Sequence, residues 1–166
     1  WLARLVAEKI EEATGENAVV GAVELDLERG LVRVEGVLVT HRSPGTVHDG
    51  DVILTVSSLT LRPSWEAGRW NAETLQIEQP FLRLHIDEDG IREFRNRPPS
   101  DGPVSSFPWD DLRVTGATIE ILKGDDSLRV VDLSVETNPG TQELALSANA
   151  LELQRGEELI RSEPWA

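Results

Sequence analysis

Residues Leu75–Gly90, which read LQIEQPFLRLHIDEDG, give the clearest structural signal in this chain. Apolar side chains occupy alternate positions on both sides of a proline, at Leu75, Ile77, Leu82, Leu84 and Ile86. A period of two places such side chains on one face of a β-strand. The segment then closes on Asp87–Gly90, whose acidic residues and glycine are typical of a turn. The stretch therefore predicts strands joined across Pro80 and followed by a turn, which is a structural pattern and not a catalytic one.

The same period of two runs through most of the chain after an initial helical segment. Residues 1–14 carry apolar side chains at helical spacing, and Gly15 is placed to end the helix. The strand-like segments that follow are Val19–Leu27, Leu31–Val39, Val52–Leu61, Leu75–Ile86, Leu112–Leu122, Leu128–Val135 and Leu144–Leu153. They predict a mostly β fold in which the N-terminal helix caps a strongly twisted, curled antiparallel sheet. The helix residues expected to face the sheet are Leu2, Leu5, Val6 and Ile10.

The apolar alternation slips by one residue inside several of these segments. The slips occur at Gly36, Ser57–Ser58, Pro80, Gly116 and Val130–Val131. An uncorrected slip would turn the apolar side chains toward water, whereas a β-bulge restores the inward face and adds local twist. The pattern therefore favours a strongly coiled sheet, although separate short strands joined by bends explain it equally well.

A proline-rich segment, Arg97–Asp111, divides the chain, because repeated prolines cannot belong to a central strand. The predicted organisation is a capping helix over 1–15, a first β module over 16–96, a connector over 97–111 and the start of a second β module over 112–166. A short echo between VRVEGVLV around Gly36 and LRVTGATIEI around Gly116 fits repeated modules added edge to edge.

The composition excludes several classes of function. The chain has 166 residues, a formal net charge of -14 and a pI near 4.6. Nucleic-acid binding needs clustered Lys and Arg, so no nucleic-acid partner is expected. The absence of cysteine excludes disulfides, thiolate metal ligands and a cysteine nucleophile. No apolar run reaches the ~20 residues that span a bilayer, so we expect any membrane anchor to lie before Trp1.

Candidate catalytic and metal-binding residues are few. None of the common nucleophile, phosphate-binding or zinc-protease motifs is present, so neither an enzymatic activity nor a cofactor is predicted. His41, His48, Asp49 and Asp51 lie close together and are metal-ligand types, but the Pro-Gly and Asp-Gly content of their stretch favours an exposed loop. His85 alternates with apolar neighbours on the predicted polar side of its strand, where we expect it to face solvent.

The order and spacing of these elements resemble the N-terminal part of the AsmA-like family, which includes envelope proteins of the TamB and YhdP type. More remotely, they resemble chorein-type bridge-like lipid transfer proteins. The resemblance is carried by VILTVSSLTLRPSWEAGRWNAETLQIEQPFLRLHIDEDGIREF, which begins at Val52, and by DLRVTGATIEILKGDDSLRVVDLSV, which begins at Asp111. The chain departs from the family pattern in two places. The family's membrane-spanning helix before the first module is missing, and the asparagine that often follows the turn glycine is not matched until Asn96.

The resemblance implies a repeating β-groove, which is a long, taco-shaped sheet, apolar inside and polar outside. Such a groove conducts phospholipid chains between the inner and outer membranes of a diderm bacterium. The implied location is the periplasm, with attachment to the inner membrane through a segment before Trp1 and contact with an outer-membrane or envelope protein. The residues expected to line the groove are Val34, Leu54, Leu59, Leu75, Ile77, Leu82, Leu84, Ile119 and Ile121. The alternative is a structural or interaction module with a closed, dry core, because such a core would show the same alternation.

Overall fold

A computed structural model describes residues 1–41, 51–66, 69–94, 109–138 and 143–165, with only the backbone described at 65, 66, 69–72, 94, 109, 110 and 138. Within these ranges the chain is mostly β, with one N-terminal α-helix and a large sheet of 11 strands. The predicted mostly β fold with an N-terminal helix is therefore confirmed.

The strands follow the predicted segments closely. They are β1 (Asn17–Asp26), β2 (Leu31–Thr40), β3 (Val52–Glu66), β4 (Arg69–Glu78), β5 (Phe81–Asp87), β6 (Gly90–Ile91), β7 (Trp109–Lys123), β8 (Asp126–Asn138), β9 (Glu143–Ser147), β10 (Ala150–Arg155) and β11 (Glu158–Arg161). The predicted segment Leu75–Ile86 is divided into β4 and β5 at Gln79 and Pro80, since proline lacks the N–H that a central ladder requires. The predicted segment Leu144–Leu153 is likewise divided, into β9 and β10, and strands β6 and β11 were not predicted from the sequence.

The sheet contains both parallel and antiparallel pairs. Its strand order is β1-β2-β3-β4-β7-β8-β10-β11, with β5 between β3 and β7 and with β9 beside β8. Strands β4 and β5 pair antiparallel with β3 but parallel with β7. The prediction of a wholly antiparallel sheet is therefore wrong at β7. A parallel pair needs a crossover connection of a dozen or more residues, and the chain supplies that length between β6 and β7.

Helix α1 (Leu2–Thr14) lies on the β1 end of the sheet. It ends at Gly15, whose φ of 77° and whose N–H bond to a carbonyl one turn earlier form a left-handed C-cap. Val6 and Ile10, four positions apart, pack against the buried core of the sheet. The prediction that Leu5 faces the sheet is wrong, because Leu5 is 42% exposed at the edge of this stripe.

Each predicted slip lies on or beside a single line that crosses the sheet, which we call the crease. The crease consists of Gly21, Gly36, Ser57, Gln79, Gly116, Asp132 and Asn149. Positive φ angles occur along it at Gly36 (64°), Gln79 (49°), Gly116 (66°) and Asp132 (54°). A residue with a positive φ changes the face to which the following side chains point. The apolar side chains of neighbouring strands therefore switch between odd and even positions where the crease crosses them.

Hydrogen bonds join neighbouring strands along the crease. The Ser57 hydroxyl donates to the Gln79 side-chain oxygen at 3.2 Å, and the Gln79 backbone N–H donates to the Thr115 carbonyl at 2.8 Å. Further along, the Asn149 side-chain amide donates to the Asp132 carboxylate. These bonds connect strands at the level where the regular alternation changes.

The β-bulge predicted at Gly36 is wrong. On either side of it, Glu35 pairs with Ser58 and Val37 pairs with Val56, so the register continues without an added residue. The apolar alternation changes parity where the crease crosses β1, β2 and β3. None of these strands therefore needs an extra residue at the crease. The register of β7 and β8 does shift where the crease crosses them.

The predicted connector lies largely outside the described residues. Residues 97–108 belong to that undescribed part, and Trp109–Asp111 form the beginning of β7. Because β7 pairs with β4 and β5, strands of both predicted modules belong to the same sheet. The module boundaries themselves stay a prediction.

Candidate functional site

The face of the sheet that contacts α1 carries rows of apolar side chains. Directly paired residues of neighbouring strands lie on the same face, so strand pairing defines each row, and we name each row after one member. The Leu59 row contains Val23, Val34, Leu59, Ile77, Val114, Val135 and Leu146. The Leu82 row contains Ala18, Val39, Leu54, Leu82, Ile119, Val130 and Leu151.

Two shorter rows flank these. The Leu61 row contains Leu25, Val32, Leu61, Leu75 and Leu112. The Leu84 row contains Leu84, Ile121, Leu128, Leu153 and Ile160. The crease runs between the Leu59 row and the Leu82 row, yet Val34 and Val39, one from each row, belong to the same buried cluster. The change of parity at the crease therefore keeps all these rows on one face.

The structure brings every residue predicted to line a groove onto this face. Leu75 lies in the Leu61 row; Val34, Leu59 and Ile77 lie in the Leu59 row; Leu54, Leu82 and Ile119 lie in the Leu82 row; Leu84 and Ile121 lie in the Leu84 row. Their common orientation follows from the strand pairing. Lipid binding by these residues stays a prediction.

The two ends of the apolar face differ in their exposure. Beneath α1, the buried residues are Ala18, Val34, Val37, Val39, Ile53 and Val56. Val39 there is only 2% exposed. At the other end, Leu146 of the Leu59 row is 47% exposed, and Ile160 of the Leu84 row is exposed too. Leu25 of the Leu61 row is also exposed, at the β1 edge of the sheet. The face therefore has a packed core beneath α1 and open apolar surface beyond it.

A cavity of about 130 Å³ lies between the C-terminal end of α1 and the Leu82 row. Its lining consists of Thr14, Glu16, Val39, Ile53, Leu54, Leu82, Leu84 and Glu93. Ile53 is an added residue in β3 between the pairs Val39–Leu54 and Thr40–Val52, which places two consecutive apolar residues in the lining. The volume is close to the ~150 Å³ of engineered apolar cavities that bind benzene.

Two histidines and a glutamate, His41, His85 and Glu93, meet beside this cavity, and we call them the His–Glu cluster. His85 Nδ1 lies 2.7 Å from Glu93 Oε1, and His41 Nε2 lies 3.4 Å from the same oxygen. The other carboxylate oxygen, Glu93 Oε2, accepts a hydrogen bond from the His85 backbone N–H at 2.9 Å. On the far side of its ring, His41 Nδ1 lies 3.5 Å from Glu16 Oε1.

Local structure explains how Glu93 reaches His85. The turn after β5 pairs Ile86 with Ile91, and a 3₁₀ turn over Arg92–Phe94 then brings Glu93 back beside β5. The Glu93 side chain is only 2% exposed. Burial alone would raise the pKa of its carboxyl group, but the hydrogen bonds from the His85 backbone and imidazole outweigh that effect and hold the pKa below its usual value.

This cluster differs from the metal-ligand group considered from the sequence. His48 and Asp49 lie outside the described residues, and His41 faces His85 and Glu93 instead. The expectation that His85 faces solvent is wrong, because its side chain is half-buried and bonded to Glu93. The hairpin turn between His85 and Glu93 was readable from the sequence, whereas the approach of His41 depends on the pairing of distant strands.

Comparison with known proteins does not assign the chain to a family. No family model matches the sequence, and no curated protein matches it either. The described helix is too short and too polar to cross a membrane.

Proposed function

We propose that this chain is a segment of an envelope-spanning lipid conduit whose apolar rows carry phospholipid acyl chains between the inner and outer membranes. One observation supports the proposal above all others. The Leu59 and Leu82 rows stay apolar across the sheet, from the core beneath α1 to strands β8–β10, where Leu146 is half-exposed. A soluble domain gains little from such an extended exposed apolar face unless a ligand or partner covers it.

The energetics of acyl-chain transfer suit such a face. Placing an acyl chain in water costs ~0.8 kcal/mol per CH₂, so a 16-carbon tail costs on the order of 12 kcal/mol. A continuous apolar surface removes most of that cost, and it needs no catalytic residue. The crease contributes by keeping the rows on one side although the strands change parity.

The proposed setting is the periplasm. Attachment to the inner membrane would come through a segment before Trp1, and an outer-membrane or envelope protein would receive the lipid at the other end. The net charge of -14 fits a conduit whose polar face stays in solvent and does not adhere to anionic lipid headgroups.

A photo-crosslinking experiment tests the proposal. A photoreactive amino acid at Val130, in the Leu82 row, should capture phospholipid from vesicles of phosphatidylethanolamine and phosphatidylglycerol. The same group at Arg129 is the matched control, because it is the preceding residue of β8 and points to the opposite face. Native mass spectrometry of the unmodified chain should show bound phospholipid.

The rival function is a structural or interaction module of an envelope assembly with a closed, dry core. That module would give no phospholipid adduct at either position and no lipid-bound species. Equal capture at Val130 and Arg129 would also contradict the conduit, because it would show that lipid does not distinguish the two faces.

A further inference from the structure

The His–Glu cluster has the composition of a metal site. We propose that His41 Nε2, His85 Nδ1 and Glu93 Oε1 bind a divalent transition-metal ion, with zinc as the expected ion. These ligand atoms all lie within 4.8 Å of one another. The site is separate from the acyl-chain function, because it needs the imidazole and carboxylate groups and not the apolar rows.

His41 provides the first argument. The residue is buried, with 8% of its surface exposed, and among the described residues its Nε2 has no hydrogen-bond partner. A buried polar atom that loses water without gaining a partner destabilises the fold. The orphaned Nε2 lies 3.4 Å from Glu93 Oε1 without forming a hydrogen bond to it. A metal ion between these two atoms would satisfy the nitrogen.

The distances provide the second argument. With metal–ligand bonds of about 2.0–2.2 Å and tetrahedral angles, two ligand atoms of a zinc site lie about 3.3 Å apart. The separation of 3.4 Å between His41 Nε2 and Glu93 Oε1 fits this value. His85 Nδ1 lies closer to Glu93 Oε1, at a hydrogen-bond distance of 2.7 Å, and must move outward by about 0.6 Å to join the same ion. Because His85 is only half-buried, it has room for that movement.

The surrounding groups provide the third argument. Histidine ligands of metals usually direct their second ring nitrogen at a carboxylate or carbonyl, which fixes the ring. Glu16 occupies that place for His41, with Oε1 3.5 Å from Nδ1. The ligating carboxylate of Glu93 is itself held through its other oxygen by the His85 backbone N–H. Two ligands therefore already have the outer partners that a metal site requires.

The donor set selects the kind of ion. Two imidazoles and one carboxylate suit zinc and similar first-row dications, whereas soft ions such as Cu(I) prefer the thiolates that this chain lacks. Three protein ligands leave a fourth position for water. The bound ion would join the end of β2 to strand β5 and the 3₁₀ turn, which lie far from β2 in sequence.

Isothermal titration of the tag-free, chelator-treated chain with zinc chloride tests the proposal. We expect one zinc ion per chain and a higher melting temperature with zinc than without it. His85→Asn and Glu93→Gln should each weaken zinc binding by more than about 100-fold, because each removes a ligand itself. Glu16→Gln should weaken it by about 10- to 100-fold, since it removes only the outer partner of His41.

His48→Asn is the matched control, because it removes the one other histidine of the chain. Zinc affinity should stay unchanged in this variant. Cobalt(II) bound to the wild-type chain should show the intense visible bands of a four-coordinate site, and His85→Asn should lose them. Circular dichroism of each metal-free variant verifies that it is folded, and if Glu93→Gln is not folded, His85→Asn decides.

Two results would overturn the proposal. One is the absence of saturable one-to-one zinc binding by the wild-type chain. The other is zinc binding that is lost in His48→Asn but retained in His85→Asn, which would place the ion on the stretch from His41 to Asp51. Neither result depends on whether the apolar rows bind lipid, so the two proposals fail separately.

Discussion

The two ends of the apolar face carry the same sequence pattern but differ in their environment. Beneath α1, the alternating residues form a packed core in which Val39 is 2% exposed. In β9, on the same face, Leu146 is 47% exposed. Alternation with period two fixes which side chains share a face. It does not determine what covers that face.

This difference in exposure distinguishes the part of the face that stabilises the sheet from the part that stays accessible. Hydrophobic stabilisation scales with the apolar area removed from water, so the β1–β3 end holds most of the packing that stabilises the sheet. The β8–β11 end contributes less to stability and leaves apolar surface accessible. Under the proposed function, the covered end stabilises the sheet and the open end stays accessible to acyl chains.

The largest effect is expected from an aspartate placed at matched positions of the two ends. Val39→Asp buries an uncompensated charge and should destabilise the fold by about 3 kcal/mol or more. Leu146→Asp places the same charge at a half-exposed position and should cost about 1 kcal/mol or less. Urea denaturation followed by circular dichroism measures both.

If Val39→Asp is too unstable to measure, Val39→Ala and Leu146→Ala replace the pair and should keep the same order. Equal costs at both positions would contradict the difference between the two ends. They would mean that the β8–β11 end is as well packed as the β1–β3 end.

The helix offers the next largest effect. Ile10→Ser removes a side chain that packs on the core and should cost about 2 kcal/mol. Leu5→Ser is the matched control, since both variants introduce a serine into α1, whose helix propensity costs only about 0.5 kcal/mol. Thermal unfolding should therefore show a much larger decrease for Ile10→Ser. A similar decrease for both variants would mean that Leu5 also contacts the sheet.

The sequence predicted the strands and their common face because both depend on local alternation. Even the crease was visible, since Gly36, Pro80 and Gly116 mark slips that align in the sheet. The cause of the slip at Gly36 could not be predicted, because a positive φ and a β-bulge both shift the apolar alternation by one residue. The sequence alone could not distinguish them.

Long-range pairing explains the other differences. The parallel pairing of β7 depends on the path of a long connection, about which the alternation carries no information. The His–Glu cluster was missed for the same kind of reason. His41 and His85 are 44 positions apart by residue number, and the pairing of both β2 and β5 with β3 brings them together.

Replacing the crease glycines tests whether their positive φ angles stabilise the sheet in both β2 and β7. Gly36 and Gly116 have φ angles of 64° and 66°, where an L-residue costs roughly 1–2 kcal/mol. Gly36→Ala and Gly116→Ala should each destabilise the fold by about that amount. At Gly116, an added Cβ would also lie 3.4 Å from Gln79 Cγ, so its cost should be the higher one.

Gln79→Gly is the control for these variants, because it relieves a positive φ of 49° on the same line. Its effect should stay within about 1 kcal/mol, since the relief offsets the larger entropy that glycine gives the unfolded chain. Urea denaturation of all three variants provides the comparison. Neutral results at both glycines would mean that the positive φ angles do not constrain the strands.

The smallest effect concerns the polar face, where the centre of the sheet should be more sensitive to the loss of an ion pair than the β1–β3 end. Between β5 and β7, Arg83 Nε lies 2.6 Å from Glu120 Oε2, and both side chains are largely buried. In β2, Arg33 pairs with Glu35 at 3.1 Å, and both side chains are about half exposed. Glu120→Gln should therefore cost about 1 kcal/mol, and Glu35→Gln less than about 0.5 kcal/mol, because solvent screens the exposed pair. Denaturation at low and high salt separates the two, since added salt should reduce the smaller effect further and leave most of the larger one. If Glu35→Gln proved the more costly, burial of an ion pair would not determine how much it stabilises the sheet, and the exposed pair in β2 would be the more important one.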